Sequence, residues 1–196
     1  STLFPYTALF RSTVYDELGR KVQVITPNLY EKSESDDVGY RYTYYPNGLL
    51  HAVTDPEDNT TTYTYDLYGN IKTETKANEC TYIYEYDELQ RIIAEYVKET
   101  SKASPVLLKT YEYSILKDQK TQEKEVIYLN ENETAETTRV YDYAERLVRQ
   151  VNPDGGILNT NYNLNGTIYS TEDALGKVTY YKYDGLNRLT EQWTPF

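Results

Sequence analysis

The chain contains the stretch Tyr65-Asp66-Leu67-Tyr68-Gly69-Asn70-Ile71, a polar turn between two segments with strand character. This seven-residue pattern, which we call the Tyr-Asp motif, returns along the chain. Two good copies are Tyr86-Asp87-Glu88-Leu89-Gln90-Arg91-Ile92 and Tyr183-Asp184-Gly185-Leu186-Asn187-Arg188-Leu189. With looser copies included, the leading tyrosines are Tyr15, Tyr44, Tyr65, Tyr86, Tyr113, Tyr141, Tyr162 and Tyr183. Four of the seven intervals between them are 21 residues, and such regular self-similarity indicates a repeat architecture.

One repeat unit, from Tyr65 to Tyr86, shows the plan of the chain. Residues 71–75 and 81–86 each alternate between polar and apolar or aromatic side chains, with the period of two that is typical of a β-strand. Turns join the strands at both ends, so each unit is a β-hairpin that cannot bury its own apolar face. The sequence therefore predicts an all-β protein, built as a ribbon of stacked antiparallel hairpins.

Composition supports this fold and excludes several classes of function. Tyrosine supplies 24 residues against 3 Phe and 1 Trp, and the chain has no Met. A net charge of −11 makes nucleic acid and acidic membrane surfaces poor partners. No apolar run approaches the ~20 residues of a membrane span. We therefore predict neither nucleic-acid binding nor membrane insertion.

The residue types within the motif have physical roles. Asp in the second place can accept a backbone N–H two residues later and so close a turn. Glycine in the fifth place suits a positive φ, and it stands there as Gly19, Gly48, Gly69 and Gly166. Asn187 is the next best residue in that place. The units with Gln90, Lys117 and Glu145 must use a different turn or accept strain.

Asp in the second place occurs together with Arg in the sixth. The four pairs are Asp16 with Arg20, Asp87 with Arg91, Asp142 with Arg146, and Asp184 with Arg188. The units whose second residue is not Asp lack the Arg, and Asp66 with Asn70 is the one exception. This co-occurrence predicts an ion pair that braces the turn, although an Arg kept for solubility is an alternative.

A column of tyrosines is predicted two residues before the leading ones. Its members are Tyr42, Tyr63, Tyr84, Tyr111 and Tyr181. Tyrosine suits a half-buried face because its ring can pack while its hydroxyl reaches water or a partner. Packing between hairpins is one interpretation of this column, and stacking on the sugar rings of a carbohydrate ligand is the other.

Few residues offer catalytic or metal-binding chemistry. The lone His51 has no Ser or Cys partner pattern, and the residues beside Cys80 do not mark it as a reactive thiol. The acidic turn at 55–59 does not have the spacing of a calcium loop. We predict no catalytic residue, no cofactor and no metal, so the chain is not expected to be an enzyme.

Three segments depart from the 21-residue period. Residues 31–37 and 101–105 are predicted to be surface loops. Residues 117–124 carry no turn signal and are expected to continue a lengthened hairpin, with its tip at residues 130–134.

The first twelve residues break the pattern of the rest. Apart from Ala8, residues 1–12 resemble the conceptual translation of a widely used DNA-sequencing adapter. We predict that they are not native, that the repeat array spans residues 13–196 in about eight units, and that the sequence is a metagenomic fragment. A genuine N-terminal strand is the alternative.

The Tyr-Asp-x-x-Gly-Arg-Leu pattern, its 21-residue spacing and the following Thr-x-Tyr-x-Tyr strand resemble the YD repeats of the RHS family. This family includes rearrangement-hotspot proteins, wall-associated polymorphic toxins, components of insecticidal toxin complexes and teneurins. The resemblance implies a spiral of hairpins that forms part of a hollow shell. In bacterial members this shell encloses a C-terminal toxin domain.

The resemblance also sets the functional expectation. The chain would be a non-catalytic wall segment of a secreted or cell-surface bacterial protein, and its partners would be the rest of its shell and an enclosed toxin domain. The alternative is a module that binds cell-surface carbohydrate, or another partner, through its tyrosine columns. Complete bacterial members often end the shell with an Asp-Pro-x-Gly core, which this sequence does not contain. Asn152-Pro153-Asp154-Gly155 has a superficial likeness to that core but lies in an ordinary repeat turn.

Overall fold

The computed structural model describes residues 12–25 and 39–195, and in these residues it contains strands and no helix. The all-β prediction is therefore confirmed. The strands are β1 Ser12–Tyr15, β2 Lys21–Ile25, β3 Tyr40–Tyr44, β4 Leu50–Thr54, β5 Thr60–Tyr65, β6 Ile71–Thr75, β7 Thr81–Tyr86, β8 Ile92–Lys98, β9 Val106–Ile115, β10 Thr121–Asn130, β11 Glu133–Tyr141, β12 Leu147–Val151, β13 Ile157–Tyr162, β14 Ile168–Glu172, β15 Val178–Tyr183 and β16 Leu189–Trp193.

The strands follow one another in the sheet in the same order as in the chain. Neighbours are hydrogen-bonded from β1 to β7 and from β9 to β16. Pairing is antiparallel, as between β5 and β6 and between β13 and β14. The predicted succession of antiparallel hairpins is confirmed. The described residues divide into two compact units, one of residues 12–25, 39–85 and 96–106 and the other of residues 86–95 and 107–195.

One type of turn is used at both ends of the hairpins. In the Tyr-Asp motif, the N–H of Asp66 donates to the carbonyl of Asn70 at 2.9 Å, and that of Gly69 donates to the carbonyl of Asp66 at 3.3 Å. The acidic turn at the opposite end has the same two bonds. The N–H of Asp55 donates to the carbonyl of Asn59, and that of Asp58 donates to the carbonyl of Asp55. Each is a type I turn followed by a residue of positive φ. The acidic turn at 55–59 is thus an ordinary turn of the ribbon.

The fifth place of the motif has a positive φ even where glycine is missing. Gly69 has φ 92°, while Gln90 and Glu145 have 65° and 59°. The backbone N–H groups of both residues keep the hydrogen bonds of the turn. These two units therefore retain the same turn and accept the strain that an L-residue meets in this region.

The copy at Tyr113 differs from the prediction. Its turn lies two residues later, between Leu116 and Lys120, and Gln119 takes the positive φ of 62° in place of Lys117. The expectation that residues 117–124 continue a hairpin without a turn is therefore wrong. The long hairpin begins after this turn, in β10 and β11, and residues 131–132 connect its strands as predicted.

The two predicted loops have different outcomes. Residues 99–105 connect β8 to β9 without strand structure, so the loop at 101–105 is confirmed. The predicted loop at 31–37 lies outside the described residues, as does nearly all of the segment 1–12.

The buried core of the described residues is small. Its apolar members are Val24, Ala52, Ala94 and Val140, and two polar residues, Asp142 and Ser170, are equally buried. In this part of the chain no large side chain is fully enclosed. Half-buried tyrosines supply much of the packing instead, which suits a ring with a polar tip.

Candidate functional site: the joint between hairpins

The second-place aspartate is the centre of each turn. Asp142 accepts backbone N–H bonds from Ala144 at 2.9 Å and Arg146 at 3.1 Å through Oδ1. Its Oδ2 accepts bonds from Nε and Nη2 of Arg146 at 2.8 and 2.6 Å. The Arg146 side-chain bonds are the main cause that lowers the pKa of Asp142, because they favour the carboxylate. The group is therefore ionised at neutral pH and has both oxygens occupied.

The other Asp–Arg pairs have the same geometry. The Nε atom donates to Oδ2 at 2.7 Å from Arg20 to Asp16, at 2.8 Å from Arg91 to Asp87, and at 2.7 Å from Arg188 to Asp184. The pKa is lowered in all three aspartates. Where Arg is missing, Nδ2 of Asn70 donates to Oδ2 of Asp66 at 2.9 Å. The pairing is thus a regular feature of the turn.

The arginine also contacts the next hairpin. Its guanidinium carbon lies over the ring of the following leading tyrosine, 4.7 Å from the centroid for Arg20 on Tyr44, 4.2 Å for Arg91 on Tyr113, and 4.6 Å for Arg146 on Tyr162. A cation at this distance is attracted by the negative face of the ring. One arginine therefore joins the turn of its own hairpin to the tyrosine of its neighbour.

The hydroxyl of the leading tyrosine completes the contact. It donates to the backbone carbonyl of the seventh residue of the preceding motif. The bonds run from Tyr44 to Lys21 at 2.7 Å, Tyr65 to Leu50 at 2.9 Å, Tyr113 to Ile92 at 2.9 Å and Tyr162 to Leu147 at 3.0 Å. We call the group of Asp, Arg, acceptor carbonyl and following tyrosine the tyrosine–arginine joint.

Sequence reasoning found the parts of this joint but not their assembly. It paired Asp with Arg and treated the leading tyrosine as part of the turn. The three positions share a period, which is the signal that could have linked them. The remaining motif residues lie where the turn requires them, with positive φ at Gly19, Gly69 and Gly166. Tyr86 and Tyr183 end strands and are half-buried, whereas Tyr15 is exposed.

The five tyrosines proposed to stack on sugar are all half-buried. The ammonium of Lys21 lies 4.2 Å from the ring centroid of Tyr42. Tyr111 donates to Oε1 of Glu95 at 2.8 Å, and burial first and then this carboxylate raise its pKa. Tyr181 lies 3.1 Å from the hydroxyl of Thr171, hydroxyl to hydroxyl. Tyr84 lies on β7, and Tyr63 borders a cavity. Carbohydrate stacking by these residues stays a prediction.

That cavity lies in the first compact unit. Its volume is about 580 Å³, and its lining includes Tyr40, Tyr63, Tyr82, Asp55 and Lys76. Cys80 borders it and is half-buried. The recess mixes aromatic faces with turn residues and contains no nucleophile paired with a base.

His51 lies apart from this recess. It is exposed on β4, with its ring centroid 4.6 Å from that of Tyr45 and its Nδ1 3.3 Å from the hydroxyl of Thr43. In the part of the chain that the structure describes, no three metal-ligating side chains form a cluster. Nor does any helix there have the length and apolar character to cross a membrane.

Large apolar side chains stand at the tips of the Tyr-Asp turns. They are largely or fully exposed at Leu18, Leu67, Leu89, Tyr143, Leu164 and Leu186. Scattered exposed leucines are ordinary on a protein surface, but here a large apolar residue recurs in the third or fourth place of six of the eight motifs. The turn tips are therefore a second regular surface of the repeat.

The sequence and fold of this chain are similar to those of known repeat proteins. Residues 38–79 match the model of the RHS repeat. The crystal structure of TcdB2–TccC3 aligns with 94% of this chain at 13% identity and a TM-score of 0.53, and the Photorhabdus luminescens Tc holotoxin pore aligns with 94% at 14% identity and a TM-score of 0.55. At this identity the likeness shows a shared fold, and the chain spans only 13% and 12% of those chains.

No curated protein sequence matches the chain. The matched repeat and the shared fold agree with the regular hairpin joint, and the chain carries an RHS repeat at residues 38–79 within a fold similar to that of these structures.

Proposed function

We propose that the chain is a non-catalytic wall segment of an RHS-type shell, which encloses or carries a C-terminal toxin domain. The observation that carries this proposal is the tyrosine–arginine joint. In three places a hairpin presents an arginine and a carbonyl to the hairpin after it, which contributes the tyrosine that contacts both. A unit with these two ends is suited to extension into a long ribbon, because every added hairpin restores the same receiving surface.

The bonding of the motif supports a structural role. The aspartates, which are the best candidates for acid–base chemistry, have lowered pKa values and accept hydrogen bonds from their own turns. A general acid at neutral pH needs a raised pKa and access to a substrate. The motif carboxylates offer neither.

The exposed apolar side chains at the turn tips support a ribbon whose surface is covered by other parts of the same protein. Leu67 and Leu164 lie fully in water in this chain. In a wound ribbon, successive turns would cover such side chains, since contiguous apolar surface is normally buried against a partner. This is the expected situation of a wall segment.

The cargo and the secretion of the whole protein are proposed by analogy. The structural relatives are named as TcdB2–TccC3 and as a Tc holotoxin pore, so the shell of this protein would belong to a secreted or surface-displayed bacterial toxin. Carbohydrate binding is not our proposal, because cation, carboxylate and hydroxyl contacts already engage Tyr42, Tyr111 and Tyr181.

Limited proteolysis of the complete protein that contains this chain tests the proposal. We expect its C-terminal domain to be protected, and to lose protection when residues 157–177 are deleted. That deletion removes 21 residues, one full unit, so the remaining hairpins keep their register. The matched control is Leu158→Ala, a half-exposed side chain on β13 whose change leaves the number of units unaltered.

Equal digestion of the C-terminal domain in the intact and deleted proteins would refute the shell. Micromolar binding of this chain to a polysaccharide, lost on Tyr63→Ala, would favour the carbohydrate module instead.

A further inference from the structure

Another recess lies on the surface of strands β10 to β14, within the second compact unit. Its volume is about 620 Å³, and small-molecule sites usually measure roughly 300–1,000 Å³. One row of directly opposite residues crosses it, from Gln122 through Val140, Arg149 and Asn159 to Glu172. Directly opposite residues of antiparallel strands share one face of the sheet. We call this surface the arginine recess.

Arg149 is a cation without a counter-ion. The residue is exposed, and within the described part of the chain its guanidinium has no hydrogen bond or ion pair. The other six arginines of that part each pair with a carboxylate. The planar fork of guanidinium donors matches the two oxygens of a carboxylate. Arg149 is therefore free to bind a carboxylate from outside the chain.

Glu172 is the matching negative charge in the recess. Its Oε2 accepts a hydrogen bond from Nδ2 of Asn159 at 2.9 Å, and no cation of the described residues pairs with it. Strand β13 separates it from Arg149, so the two Cα atoms are about 10 Å apart, or two strand spacings. The remaining charged residues of the lining, Asp118 and Lys120, neutralise each other at 2.6 Å. One charge of each sign is thus left unpaired.

Arg149 also departs from the pattern of the repeat. It stands in the ninth place counted from its leading tyrosine, and the same place holds a small, buried residue at Ala52, Ala94 and Ser170. The hairpins with Ala52 and Ser170 pair their strands in the same register, so strand pairing does not require an arginine there. A residue that departs from its own repeat without a structural gain is a candidate for function.

We propose that the arginine recess binds a free peptide of two or three residues in its zwitterionic form. Arg149 pairs with the C-terminal carboxylate and Glu172 with the N-terminal ammonium. An extended chain spans about 3.3–3.6 Å per residue, so two or three residues cover the distance between these charges. The side-chain amide of Gln122 is placed to bond a peptide group, and Val151 offers an apolar wall to a ligand side chain.

The charge of the whole chain favours a zwitterion over a polyanion. A net charge of −11 repels acidic peptides and acidic polysaccharides, whereas a zwitterion has no net charge to be repelled. The inference goes beyond the proposed function, because it holds whether or not the ribbon encloses a cargo.

Titration of the full chain with L-alanyl-L-leucine, followed by NMR, tests the proposal. We expect a saturable shift of the Arg149 Nε–Hε signal. Arg149→Ala and Glu172→Gln should each weaken the affinity about tenfold or more, because each removes a bond to a charged terminus. Lys72→Ala is the matched control, since it removes an exposed cation on β6, outside the recess, and should leave the affinity unchanged.

Blocked peptides test the same contacts on the unaltered chain. The N-acetylated and the C-amidated forms of the dipeptide each lack one charge, so each should bind about tenfold more weakly. Three results would overturn the proposal: no saturable shift at Arg149, equal affinity for a blocked and an unblocked dipeptide, or tighter binding of polyglutamate or polygalacturonate than of the dipeptide. The last result would identify the recess as a site for polyanions.

Discussion

Two Tyr-Asp turns in the second compact unit have the same bonds but different surroundings. In the turn at 141–147, Arg146 donates to Asp142 at 2.6 Å, and in the turn at 183–189, Arg188 donates to Asp184 at 2.7 Å. The first arginine lies beneath the ring of Tyr162, and the second has no following strand among the described residues. Side-chain exposure of the aspartate falls from 25% at Asp184 to 10% at Asp142.

The difference shows what the next hairpin contributes. An exposed ion pair stabilises a protein little, because water and salt screen it. A following tyrosine covers the pair, adds a cation–π contact and bonds the adjacent carbonyl. The motif alone therefore defines a turn, whereas the motif with its successor stabilises the ribbon.

Replacing either Asp142 or Asp184 by alanine should reveal the largest difference in stability between the two turns. Asp142→Ala leaves two backbone N–H groups and a half-buried guanidinium without their acceptor. We expect the melting temperature to fall by about 5 °C, and by roughly 1 °C for Asp184→Ala. Thermal unfolding followed by circular dichroism measures both. Equal decreases would show that the following hairpin adds nothing to the turn.

Lowering the pH should reduce the stabilisation that the Asp142 carboxylate gives to its turn. The pKa of Asp142 is lowered in the folded state, with the Arg146 side-chain bonds as the first cause. The stabilisation from its carboxylate is therefore fully present above its unfolded pKa, about 3.9, and is lost as the pH falls through the lowered value.

Melting of the wild type and of Asp142→Asn between pH 6 and pH 2 tests this. The gap between the two melting temperatures should be constant above pH 5 and close towards pH 2. Asp184→Asn serves as the control, with a smaller gap at every pH. A gap for Asp142→Asn that persists undiminished at pH 2 would contradict the assignment.

The tyrosine hydroxyl gives a smaller effect. Tyr162→Phe removes the bond to the Leu147 carbonyl and leaves that acceptor in a half-buried place. We expect unfolding to be easier by about 1 kcal/mol. Tyr15→Phe changes the same atom on an exposed ring and should be neutral. Urea unfolding of dilute protein, below any association, measures both variants, and a neutral Tyr162→Phe would mean that ring packing alone forms the joint.

The fold was predictable because its signals are local. Turn residues and strand alternation recur at a regular spacing, so most hairpins could be placed from their own sequence. The Asp–Arg pair was indicated by co-occurrence within a single motif. The arginine–tyrosine contact was not predicted, because the two residues belong to different units and insertions vary their separation from 16 residues at Arg146 and Tyr162 to 24 at Arg20 and Tyr44.

The displaced turn at Leu116–Lys120 was missed for another reason. The residue with positive φ in this turn is Gln119 and not Gly or Asn, so residue preferences did not predict a turn there. Pairing of β10 with both β9 and β11 sets its position instead. Long-range strand pairing can override a local preference of about 1 kcal/mol.

The smallest contrast lies in the turn backbone. Glu145 and Asn187 occupy the fifth place of the two compared turns with nearly equal φ, 59° and 60°. Left-handed backbone costs most L-residues about 1–2 kcal/mol, and Asn less. Glu145→Gly should therefore stabilise the chain by about 0.5 kcal/mol, since the greater freedom of unfolded glycine offsets part of the relief. Asn187→Gly should change stability by less than that.

Glu145→Ala separates backbone strain from loss of the side chain. It removes the same carboxylate but keeps a Cβ at positive φ, so it should bring no gain in urea unfolding. Gly69→Ala is the converse test, because the space around Gly69 is open and only its φ of 92° opposes a methyl group. It should lower stability by about 1 kcal/mol. If Glu145→Gly and Glu145→Ala behaved alike, the shared turn would hold Glu145 without strain, and the uniform backbone of the repeat would need another explanation.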